Sequence, residues 1–203
     1  MKSDTPTVFI VDDDSSVRDS LAMLVRSIAL ETETFGSAVE FLHTYDPVRC
    51  GCLLLDLRMP GMSGLDLQSR LVDMGSSLPI VFLTAHGDVS TAVQAMKVGA
   101  VDFIQKPYRD QELLDKIQHA VDKHGRLLRE ATEHQKVQAR LETLTARERE
   151  IMHMVVEGKA NKVIAGELQI GQRTVEIHRA RVMEKTQSTS LADLVRMVME
   201  SMR

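Results

Sequence analysis

Asp12, Asp13 and Asp14 follow the apolar run VFIV, Asp56 closes CLLLD, Thr84 closes PIVFLT, and Lys106 with Pro107 follows VDFIQ. A cluster of acids with one lysine and one hydroxyl suits a divalent cation and a phosphoryl group. Carboxylates forced within a few ångströms repel one another, and their pKa values rise unless a cation sits among them. Magnesium (Mg2+) takes hard oxygen ligands in an octahedron, keeps several waters and leaves room for phosphate oxygens. Asp56 stands alone at its strand end, so one oxygen can bind metal while the other attacks phosphorus in line. Lys106 offers a point charge to a phosphate oxygen, and the Thr84 hydroxyl can donate to another. A protein with such a site mainly positions groups and neutralises charge, as phosphoryl transfer requires. A single acid at a strand end is more often a simple cap, but four strand ends agreeing at once argue against that.

For these groups to meet, the four runs must be parallel strands of one sheet. Parallel strands carry their carboxyl ends to a common edge, where α/β sheets place their ligands. The first half of the chain alternates strand and helix signals accordingly. VFIV (8–11) leads into a helix opened by Ser15 or Ser16, with Val17, Leu21, Leu24, Val25 and Ile28 at the helical period. ETETF (31–35) alternates as an edge strand does, and Ser37 caps a short helix carrying Val39, Phe41 and Leu42. CLLLD (52–56) is apolar throughout, as a central parallel strand is. RMPGMSG (58–64) is a turn, and Leu65, Leu67, Leu71, Val72 and Met74 line the next helix. PIVFLTA, a helix over 89–98 and VDFIQKP complete five βα units. Right-handed crossovers then predict an α/β fold, a five-stranded doubly wound parallel sheet in the order 2-1-3-4-5.

A chain of 203 residues with 43% hydrophobic content accommodates this sheet as a domain of about 120 residues and a second, smaller one. No apolar run approaches the roughly 18 residues of a spanning helix, and the first residues lack the basic-then-apolar order of a secretion signal. The expectation is a soluble, cytoplasmic protein with no membrane partner. Cys50 and Cys52 sit one residue apart, too few for a metal cage or a disulfide framework, and read as reduced thiols. Charge divides the chain: residues 1–123 carry 11 Lys and Arg against 18 Asp and Glu, a net of −7, and the remainder carries 14 against 11, a net of +3. An acidic front and a basic back imply partners of different kind, with a polyanion for the back.

From Asp110 the pattern stays helical. Leu113, Leu114, Ile117, Val121, Leu127, Leu128, Val137 and Leu141 keep an approximate three-and-four spacing through a mostly charged stretch. This stretch is either a solvated helical spacer or a two-stranded seam, and Gly125 with the polar inward positions His124 and Gln138 argues against a strong coiled coil. After Leu144 comes Thr145-Ala146-Arg147-Glu148, the order of a capping box, then a helix with Ile151, Met152, Val155 and Val156 that stops at Gly158. Asn161 is placed to cap a second helix holding Val163, Ile164 and Leu168. A tight turn (170–172) leads to a third, RTVEIHRARVMEK, and Ser190 opens a fourth. Two short helices joined by a brief glycine-containing turn make a helix-turn-helix. Arg173, Arg179, Arg181 and Lys185 line the third helix, with Val175 and Val182 left for the core; each basic residue alone is more often just a solvated face. The boundaries expected are 1–123, a helical linker over 124–143, and 144–203.

Residues 8–120, through IVDDD, LLLDLRMPGMSG, VFLTAHGD and GAVDFIQKPY in order, resemble a response-regulator receiver domain, a flavodoxin-like fold. That resemblance implies that Asp56 accepts phosphate from a sensor histidine kinase. It implies that Asp13 and Asp56 bind magnesium, that Asp12 acts near it or through a metal water, and that Arg58 offers its backbone carbonyl. Thr84 and Lys106 match the switch hydroxyl and the phosphate-binding lysine. Phe103 matches the aromatic switch position and reads equally well as a core residue of the fifth strand. The Lys106–Pro107 bond matches one that is often cis. Residues 144–202, through LTARERE, NKVIAGEL, RTVEIHRARVMEK and SLADLV, resemble a LuxR-type DNA-binding domain, and the pairing resembles the FixJ type of two-component transcription regulator. The resemblance implies that Glu176, Ile177 and Ala180 meet base edges of double-stranded DNA and that Lys162, Thr174, His178 and Arg179 lie near phosphates. It also implies a homodimer when phosphorylated and RNA polymerase as a partner. Gly171 stands where the family usually has a capping serine, so the start of this helix is expected to be looser.

Two other readings compete. An aspartate-based phosphohydrolase of similar topology would want a second acid close after its nucleophile, but Leu57 and Arg58 follow Asp56. A receiver whose helical back binds protein or RNA remains open. The expectation is a phosphorylation-controlled activator of transcription, not a conventional enzyme.

Overall fold

The computed structural model describes residues 5–85 and 89–201. The chain divides into two compact units, Met1–Leu128 and Arg129–Arg203. The first unit contains β1 (Thr7–Val11), α1 (Ser15–Arg26), β2 (Glu31–Phe35), α2 (Ala38–Thr44), β3 (Gly51–Asp56), α3 (Gly64–Asp73), β4 (Ile80–Thr84), α4 (Val89–Lys97), β5 (Asp102–Gln105) and the start of α5 (Asp110–Glu142). All four strand pairs are parallel, in the expected order β2-β1-β3-β4-β5.

The strand period of two divides the side chains of the sheet between two apolar layers. Phe9, Val11, Leu53, Leu55 and Phe82 point to one face, where they pack with Phe41 of α2, Leu67 and Leu71 of α3 and Ala95 of α4. Val8, Ile10, Leu54, Val81, Leu83 and Ile104 point to the other, with Leu21 and Val25 of α1 and Leu113 and Ile117 of α5. Burial on both faces is why β3 carries no polar residue before Asp56.

Several local expectations differ. The cap of α1 is Asp14, whose carboxylate accepts from the Ser16 amide at 2.8 Å; Ser15 and Ser16 already belong to the helix. Val39, Val72 and Met74 are exposed, because α2 and α3 bury only a narrow stripe centred on Phe41 and on Leu67 and Leu71. Leu127 is exposed also, whereas His124 and Gly125 are buried. The His124 ring explains its own burial. Its Nδ1 lies 3.1 Å from the Gly51 amide and its Nε2 3.2 Å from the Ser77 hydroxyl, tying α5 to the start of β3 and to the segment before β4. The Cys50 thiol lies 3.9 Å from the Val121 carbonyl, and complete burial pushes the Cys52 pKa up to about 12.

The second unit holds the end of α5, α6 (Ala146–Val156), α7 (Asn161–Glu167), α8 (Gln172–Thr186) and α9 (Leu191–Ser201), around Ile151, Ile164, Val175, Val182 and Leu194. The capping box forms as read, with Thr145 and Glu148 bonded reciprocally, and Gly158 takes φ 84° just past α6. Asn161 does not cap α7. Ala160 occupies that position without a side-chain bond, and Asn161 is drawn away to another helix. Val163 is exposed for the same geometric reason as Val39: a seven-residue helix buries one stripe, here Ile164 and Ala165. As expected from Gly171, α8 also starts without a side-chain cap.

Glu148 does more than cap. Its buried carboxylate accepts from Lys185 Nζ of α8 at 2.6 Å, and the same ammonium donates to the Thr143 carbonyl at 3.2 Å. The Lys185 hydrogen bond, followed by that of the Thr145 amide, lowers the Glu148 pKa to about 2. Among the described residues, no helix is long and apolar enough to cross a membrane.

A depressed carboxylate pKa contributes stability above its unfolded value of 4.5 that disappears as pH falls towards about 2. Urea unfolding of the second unit should therefore lose stability across that window, and Glu148→Gln should flatten the profile. Lys185→Met should cost about 2 kcal/mol at pH 7, the scale of a hydrogen bond to a charged group.

Candidate functional site

The carboxyl edge of the sheet gathers the acids and the lysine. Asp12 follows the last residue of β1 and is only 4% exposed. Its three oxygens are all used: Oδ1 accepts from the Asp14 amide at 2.9 Å, Oδ2 from Lys106 Nζ at 3.0 Å, and the carbonyl from Arg18 Nη1 at 2.8 Å. Asp56, at the end of β3, accepts from the Arg58 amide at 2.8 Å through Oδ2, and its Oδ1 lies 3.7 Å from Lys106 Nζ. Lys106 thus spans the two acids. Asp13 is exposed at the rim.

Burial raises the Asp56 pKa, and the carboxylates of Asp12 and Asp13 push the same way, against the Arg58 amide and Lys106. One lysine therefore leaves the acids under-neutralised. Among the described residues no three His, Cys, Asp or Glu side chains form a ready metal cage. Magnesium does not need one, since it binds through one or two carboxylates and keeps its waters. Mutually repelling hard oxygens around Asp56 fit that ion.

Thr84 is buried at the end of β4, and its carbonyl accepts from the Lys106 amide at 2.8 Å, which aligns the end of β5 with β4. The Lys106–Pro107 peptide bond is cis. Phe103 is half-buried, its ring centroid 6.3 Å from that of Phe82 at a tilt of 36°, so it packs on the core while keeping one flank open. The turn after β3 closes tightly on Gly64, where a Cβ would stand 2.4 Å from the Asp56 carbonyl oxygen. The roles of Asp14 and Arg18 in fixing Asp12 escaped the sequence, although an acid two residues before a helical serine is itself a capping signal.

The second candidate surface is α8 with the start of α7. Lys162, Arg173, Thr174, Glu176, Ile177, Ala180 and Arg181 are exposed, and His178 and Arg179 are half-buried. Arg173 pairs with Glu176 at 3.2 Å. The buried Nδ1 of His178 has no hydrogen-bond partner among the described residues. Arg179 Nη1 donates to Asn161 Oδ1 at 2.6 Å. Lys185 differs from the rest, being engaged by Glu148 and the Thr143 carbonyl inside the unit. Ile177 is a large apolar side chain exposed on α8.

Comparison with known proteins agrees over both units. Residues 8–118 match the family model of the response regulator receiver domain, and residues 142–198 match that of the bacterial regulatory proteins of the luxR family. Nodulation protein W of Bradyrhizobium diazoefficiens is 47% identical over 194 residues, covering 94% of this chain and 84% of that protein. Transcriptional regulatory protein FixJ of Rhizobium meliloti is 44% identical over 193 residues, 95% of each. Among solved structures, response regulator StyR matches with TM-score 0.92 and 44% identity over 97% of this chain and 99% of that one. Full-length FixJ from B. japonicum matches with TM-score 0.59 and 39% identity over 97% of each.

The chain belongs to the FixJ-type response regulators, which join a receiver domain to a LuxR-type helix-turn-helix output. In this family phosphorylation of the receiver drives activation of the DNA-binding output, a sensor histidine kinase being the upstream partner. Receivers accept a phosphoryl group without being conventional enzymes, and generally require magnesium for the transfer.

Two outcomes follow from the pocket geometry. Because burial and the neighbouring acids disfavour the charged form of Asp56, Asp56→Asn should raise the urea midpoint of the metal-free protein measured in EDTA. Gly64→Ala should lower stability by about 1–3 kcal/mol, the usual cost of overpacking, since the clash is with backbone.

Proposed function

We propose that Asp56 is the phosphoacceptor of this chain. The observation that carries the reading is the convergence of Asp12, Asp56 and Lys106 at one strand edge, with Lys106 Nζ 3.0 Å and 3.7 Å from the two acids. Asp12, Asp13, Asp56 and the Arg58 carbonyl are the oxygens that would hold magnesium, which when bound screens the charge between carboxylate and incoming phosphate. The Arg58 amide orients the Asp56 carboxylate by occupying Oδ2. Lys106 exchanges its bond to Asp12 for a bond to the new phosphate oxygens, and the Thr84 hydroxyl donates to them too.

A phosphoryl group adds nearly two negative charges and several acceptors. Drawing Thr84 and Lys106 onto it moves β4 and β5 ends, and Phe103 on β5 follows as the aromatic part of the switch. Inverting such an equilibrium from 1:99 to 99:1 takes about 5.5 kcal/mol of differential interaction, within reach of a few charge-assisted hydrogen bonds with a metal. The receiver comprises residues 1–123, the linker 124–143 and the output 144–203. The phosphorylated chain forms a homodimer, binds operator DNA and activates transcription through RNA polymerase. On α8, Glu176, Ile177 and Ala180 meet base edges. Lys162, Arg173, Thr174, His178, Arg179 and Arg181 lie along phosphates, with Lys185 contributing charge from within its pair. The exposed Ile177 favours duplex DNA as the partner, since an apolar contact suits a thymine methyl.

Incubation with labelled acetyl phosphate and magnesium should label the wild type and leave Asp56→Asn unlabelled; label retained in the variant would move the acceptor elsewhere. Acetyl phosphate should also tighten binding of the full chain to duplex DNA, and Asp56→Asn should abolish that response. A salt-independent affinity would remove the DNA reading, because phosphate neutralisation imposes a steep log-log slope.

A further inference from the structure

We propose that Asn161 is a positioning residue for DNA binding, which sets the Arg179 guanidinium against the phosphate backbone before DNA arrives. The inference rests on the reading of α8 as the DNA-contacting helix. It starts from a broken local rule. Asn161 has the side chain and the place in the chain to cap α7, yet it sits inside the helix, and Ala160 at the cap makes no side-chain bond. A missing cap weakens the start of a helix, and natural sequences break such rules most often at functional sites.

Asn161 Oδ1 instead accepts from Arg179 Nη1 at 2.6 Å, eighteen positions along the chain and across the turn of the helix-turn-helix. The stem of the arginine is held as well. Arg179 lines a small apolar crevice with Ile151, Val155, Val182 and Leu194, while its guanidinium reaches Asn161 of α7. Guanidinium carries five N–H donors in a planar fork. One is satisfied by a neutral acceptor, which leaves the positive charge undiminished and the remaining donors in a fixed plane. An acid at position 161 would have neutralised the charge. Lys162, exposed beside Asn161, adds a second cation at the same corner. Holding a long side chain in its bound rotamer removes an ordering cost of about 0.5–1.5 kcal/mol at association, which is roughly 2- to 12-fold in affinity.

The test uses the full chain treated with beryllofluoride, a fluorescein-labelled duplex of arbitrary sequence about two helical turns long, and fluorescence anisotropy. Arbitrary sequence suffices because phosphate contacts carry no sequence information. Asn161→Ala should weaken binding about 2- to 12-fold. Arg179→Met, which keeps the stem packed, should weaken it more and lower the salt slope by about one. In the Arg179→Met background, Asn161→Ala should have no further effect. An equal loss from Asn161→Ala in both backgrounds would mark a merely structural residue and overturn the proposal, as would no loss in the wild-type background. If Arg179→Met leaves affinity and slope unchanged, the assignment of Arg179 to phosphates is itself wrong and this inference falls with it. Thermal unfolding of each variant separates weakened binding from a weakened fold.

Discussion

Lys106 is shared between two acids and satisfies neither completely. It donates to buried Asp12 at 3.0 Å and stands 3.7 Å from Asp56. The rest of the receiver exists to keep that imbalance in place. Two apolar layers hold the parallel sheet in place so that β1, β3, β4 and β5 end along one edge. Asp14 and Arg18 pin Asp12 from the α1 side, and the turn at Gly64 presses against the backbone of Asp56. A pocket of this kind is costly to maintain, since burial and the neighbouring acids both disfavour the charged form of Asp56.

The helical output is governed by the opposite arrangement. Glu148 and Lys185 form a pair that joins the start of α6 to the end of α8, the Thr145 amide also donating to the carboxylate and the ammonium also donating to the Thr143 carbonyl. One basic residue of α8 is thereby withdrawn into the scaffold. Arg179 is half withdrawn, packed along its stem and free to contact at its tip. The charges on one helix thus have graded roles that their spacing alone does not separate.

The sheet and its order were legible because four apolar runs ended on chemically distinctive residues, only parallel strands bring such ends together, and ETETF alternates as an edge strand does. The capping box at Thr145 was legible because both partners lie within four residues. What escaped the sequence was set by contacts distant along the chain. Asn161 looked like a cap because its competitor, Arg179, is far away in sequence. Lys185 could not be told from the other basic residues of α8 because its partner Glu148 lies 37 positions away. Val39, Val72, Met74 and Val163 looked inward because a helical period marks a face without giving its width, and the short helices here bury a single row. His124 was read as an awkward polar position; its partners at Gly51 and Ser77 lie on the far side of a fold that had first to be assembled.

The Cys52 thiol is fully buried in the central strand, its proton retained to about pH 12. Soft electrophiles and mild oxidants act on thiolates, and this sulfur almost never becomes one. Within β3 the one partly exposed side chain is the carboxylate of Asp56, four positions further on. An oxidant that needs a thiolate therefore finds none ready in this strand, whose sulfur is sealed inside the sheet while its carboxylate reaches the edge.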